Sequence, residues 1–342
     1  ENVFISLSLF FGVLSAVLVP QLSVSDENMH YLRAYGISQG RVESGSRCTL
    51  PKDVAKRAGS VYGGNFSADY SKPIDRNILD VDKCSSASGY PPIMHLPQAV
   101  GINIANIFGG STGLTILFGR LANLIFYSFA LYFIIKWVRV GKWVFVVIGL
   151  IPLMVHMAAS LSSDCVTNVA VFVITALTLN LFTQKNALSN KQIAALVCTG
   201  ILLTLTKSIN ALLLFPLIFL PKHLFAANKN KNIPFNIQKW AILIMIGVAA
   251  IISLLIWQKI FGQPLLTTGA THNPLHSNPL KFIQILFNTY MNPTIGYTDI
   301  VLRGSVGDFS SFKYHLPLFV LIPLFSLLFL SLLHYNKKDQ EL

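Results

Sequence analysis

The chain has 342 residues, of which 53% are hydrophobic and only 12% charged, and its mean hydropathy is +0.59. A soluble domain carries about a quarter charged residues, so this composition argues against an ordinary soluble enzyme and points to the bilayer. The net charge of +12 comes without a basic run or a zinc-ligand spacing, which argues against nucleic acid as a partner.

Residues 3–19 are apolar and close to the roughly 20 residues a helix needs to cross a bilayer. Ser23-Val24-Ser25 also fits a small-x-small cleavage site, so a signal peptide is the rival reading of this first run. Both readings leave the later topology unchanged. Glu1 stands where an initiator Met would be, and the natural chain is expected to begin earlier. Further apolar runs lie at about 113–135, 143–159, 165–183, 192–206, 208–221, 239–261 and 315–335. Residues 97–110 are shorter and rich in Gly and Asn, which suits an interfacial or shielded helix. The expected fold is all-α, a single polytopic membrane domain over 1–342 with about eight transmembrane helices.

Loop charge sets the orientation, because short cytoplasmic loops collect Lys and Arg. If 192–220 is a pair of short, closely turned helices, then Lys136, Arg139, Lys142, Lys185, Lys191, Lys222, Lys229, Lys231, Lys239, Lys337 and Lys338 all fall inside. A single span there would move the Lys-rich loop 222–239 outside. The paired reading is adopted. It leaves two large extracytoplasmic loops, at about 23–112 and 262–314. Cys48 and Cys84 share the first, where a bridge and two free thiols both remain open.

Acidic residues are few and unevenly spread. Eight lie between Asp26 and Asp82, while Asp164, Asp299 and Asp308 are the only carboxylates across residues 83–338. The strongest local signal is Ser25-Asp26-Glu27 followed by His30, Tyr31, Arg33 and Tyr35, where the chain leaves its first apolar run. On a helix, Glu27, His30 and Tyr31 would share a face. A capped, solvated amphipathic helix would show the same pattern. Asp164 opens an apolar run at membrane depth, where a carboxylate is a functional candidate, although it also suits a helix cap. Arg120 would either snorkel or turn inward to pair with a carboxylate or phosphate, and snorkelling is the expectation for Lys207. His272 and His276 have metal-like spacing, but Pro274 breaks any helix between them and they read as loop.

The run SDENMHYLRAYGISQG resembles the signature of a bacterial family of predicted membrane proteins, roughly P-D-E-x-x-H-[FY]-x-R-A-Y-x-[IL]-S-x-G, with Ser25 in place of the usual Pro. Later elements follow in the same order: Tyr90-Pro91-Pro92 with Pro97-Gln98, Gly119 to Asn123, Pro152-Leu153-Met154, Ser160 to Asp164, and Gly304 to Pro317. The chain is expected to stop short of the family's last spans. That family in turn resembles the GT-C type glycosyltransferases that use polyprenyl-phosphate sugars, such as protein O-mannosyltransferases. The resemblance implies a multi-pass protein of the bacterial cytoplasmic membrane with its active site facing the extracytoplasmic side. Its partners would be a polyprenyl-phosphate-linked sugar donor and a glycan or other envelope acceptor. Transfer would be inverting, with Asp26 as general base and Glu27 as its partner.

The chemistry is consistent with that expectation. A lipid-linked donor places its phosphate at the headgroup level, where a carboxylate must take the acceptor's proton and cations must meet the departing phosphate. Arg120, Arg303 and Lys313 are the candidate cations, with Arg33 behind them, while His30 and Asp164 would bind or orient substrate. Asp164 is also a candidate partner for Arg120. A lipid-linked donor needs no Rossmann-type nucleotide site, no cofactor is assigned, and whether a divalent metal bridges Asp26 or Glu27 to the donor stays open. The rivals are a flippase for a lipid-linked intermediate and a non-catalytic envelope scaffold.

Overall fold

The computed structural model describes residues 1–41, 48–82, 86–225, 235–261, 279–291, 308–309 and 314–333. Those residues are mostly helical and centre on α5, Thr112–Trp137. Ser111 starts this helix by accepting a hydrogen bond from the Leu114 amide, and 26 residues at 1.5 Å each give about 39 Å, more than the roughly 30 Å of a hydrocarbon core. Three helices among the described residues are long and apolar enough to cross a membrane: α5, α8 (Asp164–Phe182) and the stretch Ile237–Ile260 of α10 (Phe235–Phe261). Shorter apolar helices are α1 (Asn2–Leu18), α9 (Asn190–Thr206), the 3-10 helix Ser208–Phe219, and the helix Leu318–Leu333.

Small residues set the closest helix contacts, as expected where lipid supplies no drive for helices to associate. A Cβ at Gly101 of α4 (Leu96–Ile107) would run into the Phe118 carbonyl of α5, so the two backbones touch at that point. Gly12 of α1 leaves room for Leu124, and Ser8 bonds Ser128 across the same seam at 2.8 Å.

The run 143–159 departs from the continuous span expected of it. It divides into α6 (Lys142–Gly149) and α7 (Pro152–Ala158), because Pro152 has no N–H to continue the ladder. The stretch 192–220 does fold as two antiparallel pieces. α9 ends at Lys207, which is extended, and the 3-10 helix doubles back so that Leu214 lies against Gly200. This hairpin packs between α8 and α10 around Leu196, Leu203, Leu217 and Ile246.

The helices share two ends. At one lie the segments around 137–142, 183–189 and 220–225, where the Arg139 amide bonds Asn180 and Lys239 donates to the Ile218 and Leu220 carbonyls. The other end carries the non-spanning part: α2 (Glu27–Ser38), α3 (Lys52–Gly59), the antiparallel pair β1 (Cys48–Pro51) and β2 (Leu79–Asp82), and α4. Trp257 of α10 donates to the Gly89 carbonyl at this same end. The Cys48 and Cys84 side chains, and with them the expectation of a bridge, lie outside the described residues.

Candidate functional site

The solvated-helix reading of α2 does not hold. Nine of its 12 residues are buried, including Glu27, His30, Arg33 and Tyr35, and no side chain caps its start. Several of the buried polar groups are instead tied to another element. Tyr31 bonds Thr115 of α5 at 2.8 Å, and His30 Nδ1 lies 2.9 Å from His95 Nε2. Arg33 donates to the Tyr90 carbonyl, and burial pushes its pKa down to about 10. Arg33 therefore braces the loop before α4 and is poorly placed to meet a substrate.

Glu27 and Arg120 form a fully buried ion pair, with Oε2 to Nη2 at 2.7 Å and Nε to Oε1 at 2.8 Å. Arg120 also donates to the Ala16, Val19 and Pro20 carbonyls. These are carbonyls at the C-terminal end of α1, which have no intrahelical partner. All five guanidinium donors are used. Glu27 accepts in addition from the Leu161 amide. Arg120 thus has inward-facing partners, as one sequence reading had it, but its carboxylate is Glu27 and not Asp164. No Arg120 N–H remains for a donor phosphate, and the Glu27 carboxylate is fully buried against Arg120 and the Leu161 amide.

The ion pair is one part of a polar network under the loop 160–163. Gln98 of α4 donates to the Leu161 and Ser162 carbonyls, and Asn123 of α5 donates to those of Ser160 and Ser162. Segments separated by up to 134 positions in the chain meet here. The network fixes the start of α8 and with it Asp164, which pairs with Lys207 at 2.8 Å. Lys207 was expected to snorkel; its amine is instead held by a carboxylate while remaining half-exposed.

Asp26 is the exception among these groups. Its side chain is exposed and takes no hydrogen-bond or ion-pair partner among the described residues. Its backbone is left-handed, at φ 56° and ψ 9°, between the buried Val24 and Glu27. Asp tolerates that region better than most residues, at a small cost, and the turn projects a carboxylate away from the packed helix it precedes. Burial lowers the His30 pKa, and Asp164, Asp26 and Glu27 oppose that shift while Lys207 adds to it. His30 thus lies within electrostatic reach of both Asp26 and the Asp164–Lys207 pair. His95 is depressed further, by burial and then by His30 and Arg33.

Arg303 and Lys313 lie outside the described residues. The structure adds His95, Tyr90 and Lys207 to the cluster that sequence reasoning identified. His95 had a signal, since it stands between the motif elements Tyr90 and Pro97-Gln98. Among the described residues, no group of three or more His, Cys, Asp or Glu is arranged to hold a metal ion.

A helical bundle with apolar spans and a polar cluster at one end defines an integral membrane protein. More particularly, the chain belongs to the family described as predicted membrane protein (DUF2142), whose pattern matches residues 9–337. No curated protein and no solved structure matches it.

Proposed function

We propose that this protein is a glycosyltransferase of the bacterial cytoplasmic membrane. It moves a sugar from a polyprenyl-phosphate carrier to an envelope acceptor on the extracytoplasmic side. The observation that carries this reading is Asp26, an exposed and unpartnered carboxylate within electrostatic reach of His30, on which the Asp164–Lys207 pair also acts, at the end of the bundle that holds the non-spanning segments. In this reading the chain has about eight spans in a GT-C-like arrangement. The opposite end, with Lys136, Arg139, Lys142, Lys185 and Lys222, faces the cytoplasm.

In the reaction, Asp26 takes the proton of the acceptor hydroxyl as its oxygen attacks the anomeric carbon from the side opposite the phosphate. The sugar–phosphate C–O bond breaks, its electron pair leaves with the polyprenyl phosphate, and the configuration inverts. Glu27 and Arg120 act as positioning residues that hold α2 against α1 and α5. The variant Asp26→Asn keeps the fold and loses transfer. The test is mass spectrometry of envelope glycans from cells expressing either form, with melting temperature as the control for folding. Unchanged glycans in the variant would exclude Asp26 as the base.

One observation favours a second reading. The break between α6 and α7 and the short hairpin of α9 are discontinuous elements of the kind transporters use. A flippase moves the lipid without cleaving it. Intact carrier recovered on the far leaflet, with no transfer product, would replace the enzyme reading.

A further inference from the structure

Two features meet at the α9 hairpin, one polar and one apolar. At its turn, the Lys207 ammonium makes a single hydrogen bond among the described residues, to Asp164 Oδ1. An ammonium group has three N–H donors, so two remain for another partner. The amine and the carboxylate are each about one-third to one-half exposed, unlike the fully buried Glu27–Arg120 pair. The electrostatic neighbours of Lys207 include Tyr90 as well as Asp164, and Lys207 in turn acts on His30.

Beside this turn runs a groove of about 390 Å³ between the hairpin and α10. Its walls include Thr204, Ala211, Leu214, Leu243, Gly247 and Ile251, nearly all apolar. The groove opens on helix faces that look toward lipid, since Leu212, Phe215, Ile244 and Ile251 are all well exposed. Lys207 does not itself line the groove, but Thr204 and Ala211, three positions before it and four after, do, so one end of the groove is formed by the residues on either side of the turn.

The geometry points to a lipid-phosphate site in which Lys207 exchanges Asp164 for the phosphate and the hydrocarbon tail lies along the groove of α9, the 3-10 helix and α10. The exchange is electrostatically sound. A phosphate monoester carries more charge than a carboxylate and has three acceptor oxygens, so it competes well for a half-exposed ammonium. Asp164 is the built-in competitor, holding Lys207 in place while the site is empty. The inference deepens the function proposed above and rests on it only for the isoprenoid nature of the tail.

The pairing makes an opposite-sign prediction that a structural ion pair would not. In nanodiscs, with undecaprenyl phosphate as probe, Lys207→Gln weakens binding by at least about tenfold, as loss of one charge-assisted contact implies. Asp164→Asn strengthens binding several-fold, because the competitor is gone. Lys207→Arg retains binding and controls for folding. Gly247→Leu places a side chain in the groove wall, at a position where an added Cβ meets nothing within 4 Å. It weakens undecaprenyl phosphate and leaves inorganic phosphate unaffected, which separates a lipid headgroup from a free anion. Binding by Lys207→Gln at the wild-type level would overturn the proposal, as would equal losses in Lys207→Gln and Asp164→Asn. Binding as stated without any sugar transfer would leave this site standing and remove the glycosyltransferase reading instead.

Discussion

Adjacent residues Asp26 and Glu27 have opposite fates, and the backbone between them explains why. Asp26 turns left-handed and stays in solvent, while Glu27 starts α2 and is driven into α5. A buried ion pair gives little net stability over an apolar pair, but removing one partner leaves a stranded charge. Glu27→Gln or Arg120→Gln alone should therefore cost about 3–5 kcal/mol, with the double variant costing less than the sum. Thermal unfolding in detergent across the four proteins measures it. Strict additivity would mean the pair is not the contact that matters.

His30 and His95 make a pH prediction of definite sign. Both pKa values are lowered from 6.5, chiefly by burial, with Asp164, Asp26 and Glu27 opposing at His30 and Lys207 and Arg33 adding to the depression across the pair. Between the folded and unfolded pKa values the unfolded chain binds more protons. Stability is therefore complete above 6.5 and is lost as pH falls toward the folded values. Replacing His95 with Asn should flatten the fall in melting temperature on acidification. An equally steep fall would assign the proton uptake to other groups.

At the scale of elements, apolar runs located most helices, because the bilayer leaves few ways to satisfy a backbone. Lys207 and the loop charges also pointed to the division of 192–220. The break at Pro152 was less visible, since a hydropathy run counts side chains and Pro152 acts through its missing N–H. The burial of α2 was not legible from its polarity. Its charges are neutralised by residues far along the chain, and a local window cannot see Arg120 or His95. The same limit applies to the partners of Arg120 and Asp164, which exchange relative to the sequence expectation. The hairpin itself is testable by cysteine labelling in a background lacking all four native cysteines, Cys48, Cys84, Cys165 and Cys198. Ser208→Cys and Tyr62→Cys, both exposed, should react with an impermeant maleimide in intact cells, and Asn186→Cys only after lysis. Labelling of Ser208→Cys from the same side as Asn186→Cys would contradict the orientation.

Across the whole molecule, motif elements scattered from Asp26 to Asp164 converge on one end of the bundle, and they do so through two different kinds of contact. Gln98, Arg120 and Asn123 hold backbone and act as scaffold. Asp26, Asp164 and Lys207 keep exposed charge on the same end. The scaffold fixes helices that lipid alone would leave free to slide, and the exposed groups are what remains for chemistry. The most direct measurement of that division uses purified protein in proteoliposomes, supplied with polyprenyl-phosphate mannose and polyprenyl-phosphate glucose and an envelope-glycan acceptor. Release of polyprenyl phosphate is followed for wild type and Asp26→Asn. The account predicts release by wild type and a loss of at least about 100-fold in the variant, the usual scale for a general base, at an unchanged melting temperature. Release by Asp26→Asn at the wild-type rate would contradict it.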